Sequence, residues 1–354
     1  MPARIIRARR LSVKAPTDSV VTFQDAHVSC GREQSGLEAR SRMSDPPPTL
    51  LTRSGRVALL GRPNVGKSTL LNALLGEPIA IISAYPQTTR DVVRGVLTRD
   101  DTQYVFLDTP GVHAAKTKLG TWMNQAAREQ AREADALVLV VEPDRGAEVN
   151  PADLALAREL EGTRTVLAIN KIDRVKEKAR LLPLLAAFGE AHAFAATVPL
   201  SAKRGDGLDR LLKELRELLP EQPFLYEPDT LSDQPVRFFV AEFVREQILQ
   251  HTRQEVPHGV AVVVERFDES TDVPHIEIAI HVARAGHKGI LVGAKGAMMK
   301  RIGMAARVRV EKMMGRRVHL KLWVRATPDW MNDAAKLREL GYGANVASDP
   351  GPER

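Results

Sequence analysis

Cysteine is almost missing from this chain: Cys30 is the only one among 354 residues. One thiol cannot close an intramolecular disulfide or build a thiolate metal cluster, and its scarcity fits a reducing compartment. No apolar run approaches the ~18–20 residues that a membrane span needs. The N-terminus is basic but has no apolar stretch leading to a cleavage site, so it does not read as a secretory signal. The nine histidines are scattered, with no H-x-x-x-H pair or carboxylate at metal spacing, and read as surface or core residues. No internal repeat is visible. What remains is ordinary for soluble globular protein, 44% hydrophobic and 27% charged. The length allows one to three domains, each with its own core.

The net charge of +7 is modest, but it is unevenly placed. Between Arg284 and Arg325 there are twelve lysines and arginines against one acidic residue, Glu311. Such a local field attracts phosphate backbones or an anionic lipid surface.

Residues 1–53 show no sustained period. Arg4, Arg7, Arg9 and Arg10 cluster there, and Pro46, Pro47 and Pro48 break any regular element. This stretch reads as a disordered tail, with a basic RNA-contacting arm as the alternative. Met43 is a second candidate for the translation start. From 54 to 225 strands and helices alternate, which gives a doubly wound, mostly parallel α/β sheet. The spacing predicts a strand over Arg56–Leu60, a helix over Thr69–Leu75 and a hairpin of Val92–Arg99 with Gln103–Asp108. It then predicts strands at Ala136–Val141, Arg164–Ile169 and Thr197–Leu200, with helices at Leu119–Arg132, Leu182–Glu190 and Gly207–Leu219. Prolines 220, 223, 228 and 235 mark a boundary, and an α+β domain follows over 226–343, with a short tail over 344–354. In it helices are predicted at Ala241–Thr252, from Gly289, at Ala297–Met313 and at Pro328–Leu340. Strands are predicted at Gly259–Phe267, His275–Val282 and Arg317–Val324.

The organising motif is Gly61-Arg62-Pro63-Asn64-Val65-Gly66-Lys67-Ser68, followed by Thr69. It fits the phosphate-binding pattern G-x-x-x-x-G-K-[ST], between a strand and a helix as that pattern requires. A helix N-terminus and a glycine-rich turn aim backbone N–H groups at one point, where polyphosphate sits. Lys67 would meet the β- and γ-phosphates and Ser68 would offer its hydroxyl to Mg²⁺. An apolar strand then ends in Asp108-Thr109-Pro110-Gly111. Asp108 at the carboxyl end can hold Mg²⁺ through water, and the Gly111 N–H can meet the γ-phosphate.

Asn170-Lys171-Ile172-Asp173 follows another strand. A carboxylate there can accept from both N1–H and N2–H₂ of guanine, a pair that adenine does not offer, so the motif selects GTP over ATP. Ser201-Ala202-Lys203 would bring a backbone N–H to the guanine O6. In Tyr85-Pro86-Gln87-Thr88-Thr89-Arg90 a threonine can add a hydroxyl to Mg²⁺ when the γ-phosphate is present. Thr89 is the candidate and Thr88 the alternative. Lys67, Thr89 and Gly111 are thus the expected catalytic set, and Ser68, Thr89 and Asp108 the expected Mg²⁺ ligands.

In the basic domain, Gly293-Ala294-Lys295-Gly296 is a Gly-x-x-Gly between helical segments, the loop with which KH domains clamp single-stranded nucleic acid. Lys295 can meet a phosphate, and Lys288, Lys300 and Arg301 are expected beside it. Ile290, Val292, Met298 and Ile302 are expected to line an apolar groove for bases. Trp323 and Trp330 read as packing residues of the preceding strand and last helix.

Taken together, these motifs resemble the Era/TrmE branch of bacterial GTPases. Ala241–Gln247, Glu265–Phe267, Gly286–Gly289 and Val318–Val324 are similar to the Era family, in which a GTPase domain is joined to a C-terminal type II KH domain. The resemblance runs from about Gly55 to Gly343 and leaves the N-terminal tail out. It implies GTP and GDP as ligands with Mg²⁺, hydrolysis of GTP, and binding of the 3′ end of 16S ribosomal RNA during assembly of the small ribosomal subunit. It implies a cytoplasmic monomer with peripheral contact at the inner membrane as a lesser expectation. The rival readings are a GTP-sensing RNA-binding module with negligible turnover and a GTPase acting on the membrane. Val112 stands where Ras-type enzymes carry a water-orienting glutamine, and the adjacent His113 is given no catalytic role. In relatives an asparagine placed like Asn64 helps to hold K⁺; the alternative is that Asn64 only stabilises its turn.

Overall fold

The computed structural model describes residues 52–83, 85–143, 149–160, 162–252 and 256–342. Of the expected tails, residues 1–51, with Met43 and Cys30, and residues 344–354 lie outside the described residues.

In the first half, β1 (Arg53–Leu60), α1 (Lys67–Leu75), β2 (Val93–Arg99), β3 (Thr102–Asp108), α2 (Lys118–Glu133), β4 (Ala136–Val141), α3 (Pro151–Glu159), β5 (Thr165–Ile169), α4 (Leu181–Ala191), β6 (Ala196–Pro199) and α5 (Leu208–Leu218) alternate. The sheet order is β2-β3-β1-β4-β5-β6, with β2 antiparallel to β3 and every other pair parallel. β4 and β5 are buried along their whole length. This is why their sequences are continuous apolar runs rather than alternating ones: helices cover both faces of a parallel sheet. Helix α3 has no counterpart in the sequence reading, although Asn150 caps it by accepting from the Ala152 N–H and Pro151 opens its first turn.

In the second half come α6 (Val236–His251), β7 (Val260–Asp268), β8 (His275–Val282), α7 (Ala285–Val292), α8 (Ala297–Met314), β9 (His319–Ala326) and α9 (Ala334–Glu339). β7 pairs antiparallel with β8 and β8 parallel with β9, so β9 is an edge strand. Three helices depart from expectation, and β9 runs two residues further along the chain than the expected Arg317–Val324. Helix α6 starts five residues early because Pro235 opens a helix as readily as it ends one. Helix α7 starts at Ala285 and absorbs Gly286 and Gly289; burial of His287 and Leu291 outweighs their poor propensity, about 1 kcal/mol each. Helix α9 is shorter than Pro328–Leu340, because the Asp333 side chain caps it by accepting from the Ala335 and Lys336 N–H groups. Trp330 therefore lies in the turn before α9, fully buried, donating from Nε1 to the Gly259 carbonyl at 3.1 Å.

The proline-punctuated segment between the halves is laid along the free edge of β2. Val96 N–H donates to the Leu231 carbonyl, Ser232 Oγ to the Arg94 carbonyl and Gln234 Nε2 to the Val92 carbonyl. An unpaired edge is thereby covered without a seventh strand.

The two halves meet around the loop before β2. Arg90 is buried and donates to three carbonyls of the second half: Val260 at 2.5 Å, His258 at 2.9 Å and Pro257 at 3.3 Å. Its guanidinium carbon lies 5.7 Å from the centre of the Trp330 ring. Tyr85 Oη donates to the Thr252 carbonyl at 3.1 Å. Beside them Leu119, Met123, Ala261, Trp330, Leu337 and Tyr342 form an apolar cluster drawn from both halves.

Candidate functional site

Above the carboxyl ends of β1 and β3 is a cavity of about 290 Å³, lined by Pro63, Asn64, Gly66, Lys67, Ser68, Thr69, Gln87, Thr88, Thr89, Gly111 and Lys171 among others. The sequence places these residues in four separate motifs; the parallel sheet brings them to one end, as doubly wound sheets do. Lys67 Nζ lies buried under the loop and donates to the carbonyls of Gly61 at 3.0 Å and Arg62 at 3.1 Å. Burial pulls its pKa down to about 8, against the opposing charges of Asp108 and Asp153. A phosphate in the cavity would raise it again by favouring the charged form.

Ser68, Thr89 and Asp108 converge. Ser68 Oγ donates to Asp108 Oδ2 at 2.6 Å and lies 2.9 Å from Thr89 Oγ1, which is itself 3.4 Å from Asp108. Asp108 Oδ1 is buried and accepts no hydrogen bond among the described residues. Burial raises the carboxyl to about 6. A trio of hard oxygens with one buried carboxylate oxygen unengaged suits Mg²⁺. Of the two threonines, Thr89 reaches this trio. The Thr88 hydroxyl is spent within its own loop, donating to the Tyr85 carbonyl at 2.6 Å and lying 2.6 Å from Ser83 Oγ.

Asn170 ties the motifs together. Its Nδ2 donates to the Val65 carbonyl at 2.8 Å; its Oδ1 accepts from Lys171 N–H at 2.8 Å and Ala202 N–H at 3.0 Å. The glycine at 66 is required from this side: at φ 103°, a Cβ would come 2.3 Å from Asn170 Nδ2. Lys171 Nζ donates to the Asn64 carbonyl and pairs with Glu142, each at 2.5 Å. Asp173 accepts from Ser201 Oγ at 2.7 Å, which lowers its pKa. Ile172 packs against the apolar layer under α4, and Lys203 is exposed.

Other expected members turn elsewhere. The Arg62 side chain forms an ion pair with the buried Asp153 of α3 at 2.8 Å, so it braces the loop against that helix. Val65 is a core residue. Thr109 donates to the Leu59 carbonyl at 2.7 Å, and Pro110 is buried behind it. Gly111 approaches the phosphate loop so closely that a Cβ would stand 2.6 Å from Pro63 N.

A second concave surface, a groove of about 650 Å³, lies between α8 and the edge strand β9. Val292, Met299, Leu320 and Leu322 contribute apolar wall, and Lys288, Lys300 and Arg307 contribute charge. The Gly-x-x-Gly loop closes one end. Gly293, at φ 69°, lies so close to Met298 that a Cβ would approach to 2.8 Å. Lys295, exposed, takes the left-handed backbone at φ 49°, and Gly296 has open space in front of it. Ala294 is exposed at the loop tip.

Here the sequence reading needs correction. Ile302 is wholly buried with Ala306 and Val310, the core face of α8, so it cannot line the groove; Met299, Gly303 and Arg307 do. Met298 packs behind Gly293, and Ile290 is exposed outside the groove. Arg301 is exposed but turned about 100° away from Lys300 by the helical period and does not line the groove. Trp323 lines the groove, with the Lys321 ammonium 5.6 Å and the Arg325 guanidinium carbon 5.7 Å from its ring centre, which a purely packing residue would not need. The spacing of Lys300, Gly303 and Arg307 was the available signal for this face.

Residues 56–171 match the family described as 50S ribosome-binding GTPase, and residues 255–331 match the KH domain. The chain is 45% identical over 298 residues to the GTPase Era of Syntrophus aciditrophicus, covering 83% of this chain and 96% of that protein. It is 46% identical over 292 residues to the GTPase Era of Lacticaseibacillus paracasei, covering 82% and 96%. Among solved structures it resembles a point variant of Aquifex aeolicus Era bound to GDP·AlF₄⁻ and Era in complex with MgGDPNP and nucleotides 1506–1542 of 16S ribosomal RNA. Each has a TM-score of 0.77 and 37% identity over 82% of this chain and 99% of the other.

Proposed function

The chain belongs to the Era family of GTPases, and from that membership we propose that it is a nucleotide-governed binder of 16S ribosomal RNA. GTP, held with Mg²⁺ in the cavity under the phosphate loop, sets the orientation of the KH domain. The KH groove takes the single-stranded 3′ end of 16S RNA, and hydrolysis to GDP releases it, in the course of small-subunit assembly. A relative solved with both MgGDPNP and nucleotides 1506–1542 of that RNA supports the pairing of ligands.

One observation carries the reading. Thr89, which meets Ser68 and Asp108, is followed directly by Arg90, which donates to three carbonyls beside β7. Two neighbouring residues thus join the nucleotide cavity to the RNA-binding half. In this mechanism Ser68 and Thr89 offer hydroxyls and Asp108 its free Oδ1 toward Mg²⁺, which neutralises charge on the β- and γ-phosphate oxygens when bound. Lys67 places an ammonium between the same phosphates, and the Gly111 N–H meets the γ-phosphate. The basic rim of the groove supplies sequence-independent attraction for the RNA backbone. We place this work in the cytoplasm, by a monomer. The partner is tested by pull-down with a 16S 3′-end fragment and with anionic liposomes in parallel, under a GTP analogue. Capture by the fragment alone supports the proposal; capture by liposomes alone would move the basic surface to a membrane. Among the described residues no helix is long and apolar enough to cross a membrane.

Base choice rests on Asp173. Its carboxylate accepts a hydrogen bond from Ser201 Oγ, and a carboxylate after this strand can accept two donors of guanine, which supports the assignment. Asp173→Asn is expected to weaken GTP binding roughly 100-fold and to improve xanthosine nucleotides relative to GTP, because the amide presents a donor where guanine also donates. Equal GTP affinity in wild type and Asp173→Asn, by titration of a fluorescent analogue, would place the base elsewhere.

Asn64 lines the cavity with a left-handed backbone at φ 65°. We assign it a part in holding K⁺ near the β- and γ-phosphates, where positive charge stabilises the transition state. Hydrolysis is expected to run several-fold faster in KCl than in matched NaCl, as monovalent-cation charge stabilisation would give, and Asn64→Ala is expected to remove the difference. Equal wild-type rates in both salts would leave Asn64 as a turn residue.

A further inference from the structure

Val112 leaves open which side chain orients the attacking water, and the geometry points to Gln87, held in position by His113. Gln87 lines the nucleotide cavity together with Lys67, Ser68, Thr89 and Gly111. Its backbone is left-handed at φ 61°, uncommon for a residue with a Cβ. Its Nε2 lies 2.8 Å from His113 Nε2, and His113 Nδ1 lies 2.9 Å from the Gly111 carbonyl.

These two contacts fix the proton positions. A carbonyl only accepts, so His113 Nδ1 carries the hydrogen and donates to Gly111. In the neutral ring Nε2 is then an acceptor. Gln87 must therefore present its NH₂ to His113, which leaves Oε1, an acceptor, for a partner in the cavity. His113 is in turn anchored through its backbone: its N–H donates to Asn124 Oδ1 at 3.2 Å and its carbonyl accepts from Asn124 Nδ2 at 2.7 Å. The chain Asn124–His113–Gln87 runs from α2 to the edge of the cavity beside Gly111.

The hydroxyls of this loop are spent among the described residues. Thr88 and Ser83 bond each other and the Tyr85 backbone, and Thr89 meets Ser68 and Asp108. Among the side chains of the loop's described residues, Gln87 is the one that lines the same cavity as Gly111 with an acceptor left over. In hydrolysis the water oxygen bonds to the γ-phosphorus as the bond to the bridging oxygen breaks; GDP leaves with the electron pair and the water's proton passes to the phosphate. Oε1 takes no proton. It accepts a hydrogen bond from the water and so aims its lone pair at phosphorus. Gln87 thus does from the loop before β2 what a glutamine after Asp-x-x-Gly does in Ras-type enzymes. His113 is a positioning residue, acting through Gln87.

This inference rests on GTP turnover in the cavity described above, so its test reads binding and chemistry separately. Single-turnover hydrolysis and affinity for a non-hydrolysable GTP analogue are measured for wild type, Gln87→Ala, His113→Ala and the double variant. Gln87→Ala is expected to slow hydrolysis about 30-fold while analogue affinity stays within about twofold, the signature of an interaction made in the transition state. His113→Ala is expected to slow it about fivefold, because the amide can then rotate, and to add nothing on the Gln87→Ala background. Unchanged hydrolysis by Gln87→Ala, or a rate loss matched by lost analogue affinity, overturns the assignment. Additive losses in the double variant overturn the role given to His113. Failure of wild type to hydrolyse GTP would instead strike the parent reading.

Discussion

Replacing Gly293 and Gly296 together by aspartate is expected to weaken binding of a single-stranded 16S 3′-end fragment by ~100-fold or more, about 2.7 kcal/mol. Hydrolysis of GTP by the free protein is expected to stay near the wild-type rate. The loop sits at the end of the groove between α8 and β9, and no residue lining that groove lines the nucleotide cavity. Aspartates there set negative charge and side-chain bulk where the RNA phosphates must approach the backbone. The two positions are not equivalent. A side chain at 293 would strike Met298, whereas position 296 faces open space. Position 296 has a left-handed backbone at φ 79°, which strains any side chain, so Gly296→Asp is compared with Gly296→Asn, which carries the same strain without the charge; the aspartate variant is expected to melt close to the asparagine variant and to lose much more of the affinity. RNA binding equal to wild type by the double variant would remove the Gly-x-x-Gly loop from the interface. Wild-type affinity should also fall linearly on a logarithmic salt scale, as displaced counterions require.

The second large effect concerns chemistry. Lys67→Ala is expected to lower single-turnover GTP hydrolysis by about 10³-fold, the scale on which one preorganised charged donor acts at a transition state. The ammonium is buried at the wall of the cavity, and its two partners are carbonyls of the same loop, Gly61 and Arg62. It is therefore held ready for phosphate rather than recruited by it. Removal also takes the donor from those carbonyls, so part of the loss will appear as weaker nucleotide binding. Lys67→Arg separates the two contributions: it keeps the charge, but its planar fork does not fit the space of a compact ammonium. A Lys67→Ala enzyme within tenfold of wild type would mean that the charge on the γ-phosphate is met by another group.

Much of the nucleotide site was legible because each of its motifs is a short local string whose chemistry demands particular residues. Asp108 and Asp173 can be named as candidates from the strands that precede them. Their partners could not all be foreseen. The link between Asn170 and the Val65 and Ala202 backbones spans 105 and 32 positions and leaves no periodic trace. Arg90 reads as one more basic residue in a loop, yet its acceptor in Val260 is a backbone carbonyl 170 residues away, and any residue type could supply it. Helix α3 was missed, and with it the Arg62–Asp153 ion pair, because its signals are a cap and a proline rather than an apolar stripe. In the KH domain the loop is plain, but the groove lies on a different face of α8 from the one its apolar residues suggest: Ile302 is apolar because it is core, and Gly303 is small because β9 passes close by, with Leu322 3.1 Å from where its Cβ would stand. Trp323 reads as packing from the sequence because hydrophobicity alone does not tell a core ring from a groove ring.

We propose that the loop carrying Thr89 and Arg90 makes RNA affinity depend on the nucleotide. The most direct measurement is fluorescence anisotropy of a labelled 16S 3′-end fragment, titrated with protein saturated with a non-hydrolysable GTP analogue or with GDP, for wild type and Arg90→Ala. Wild type is expected to bind about tenfold or more tightly with the analogue, a coupling of ordinary allosteric size, and RNA must raise analogue affinity by the same factor. Arg90→Ala removes the three donors to the Pro257, His258 and Val260 carbonyls and is expected to bring the two RNA affinities together. Equal wild-type affinity in the analogue and GDP states would mean that the KH groove binds RNA without regard to the nucleotide.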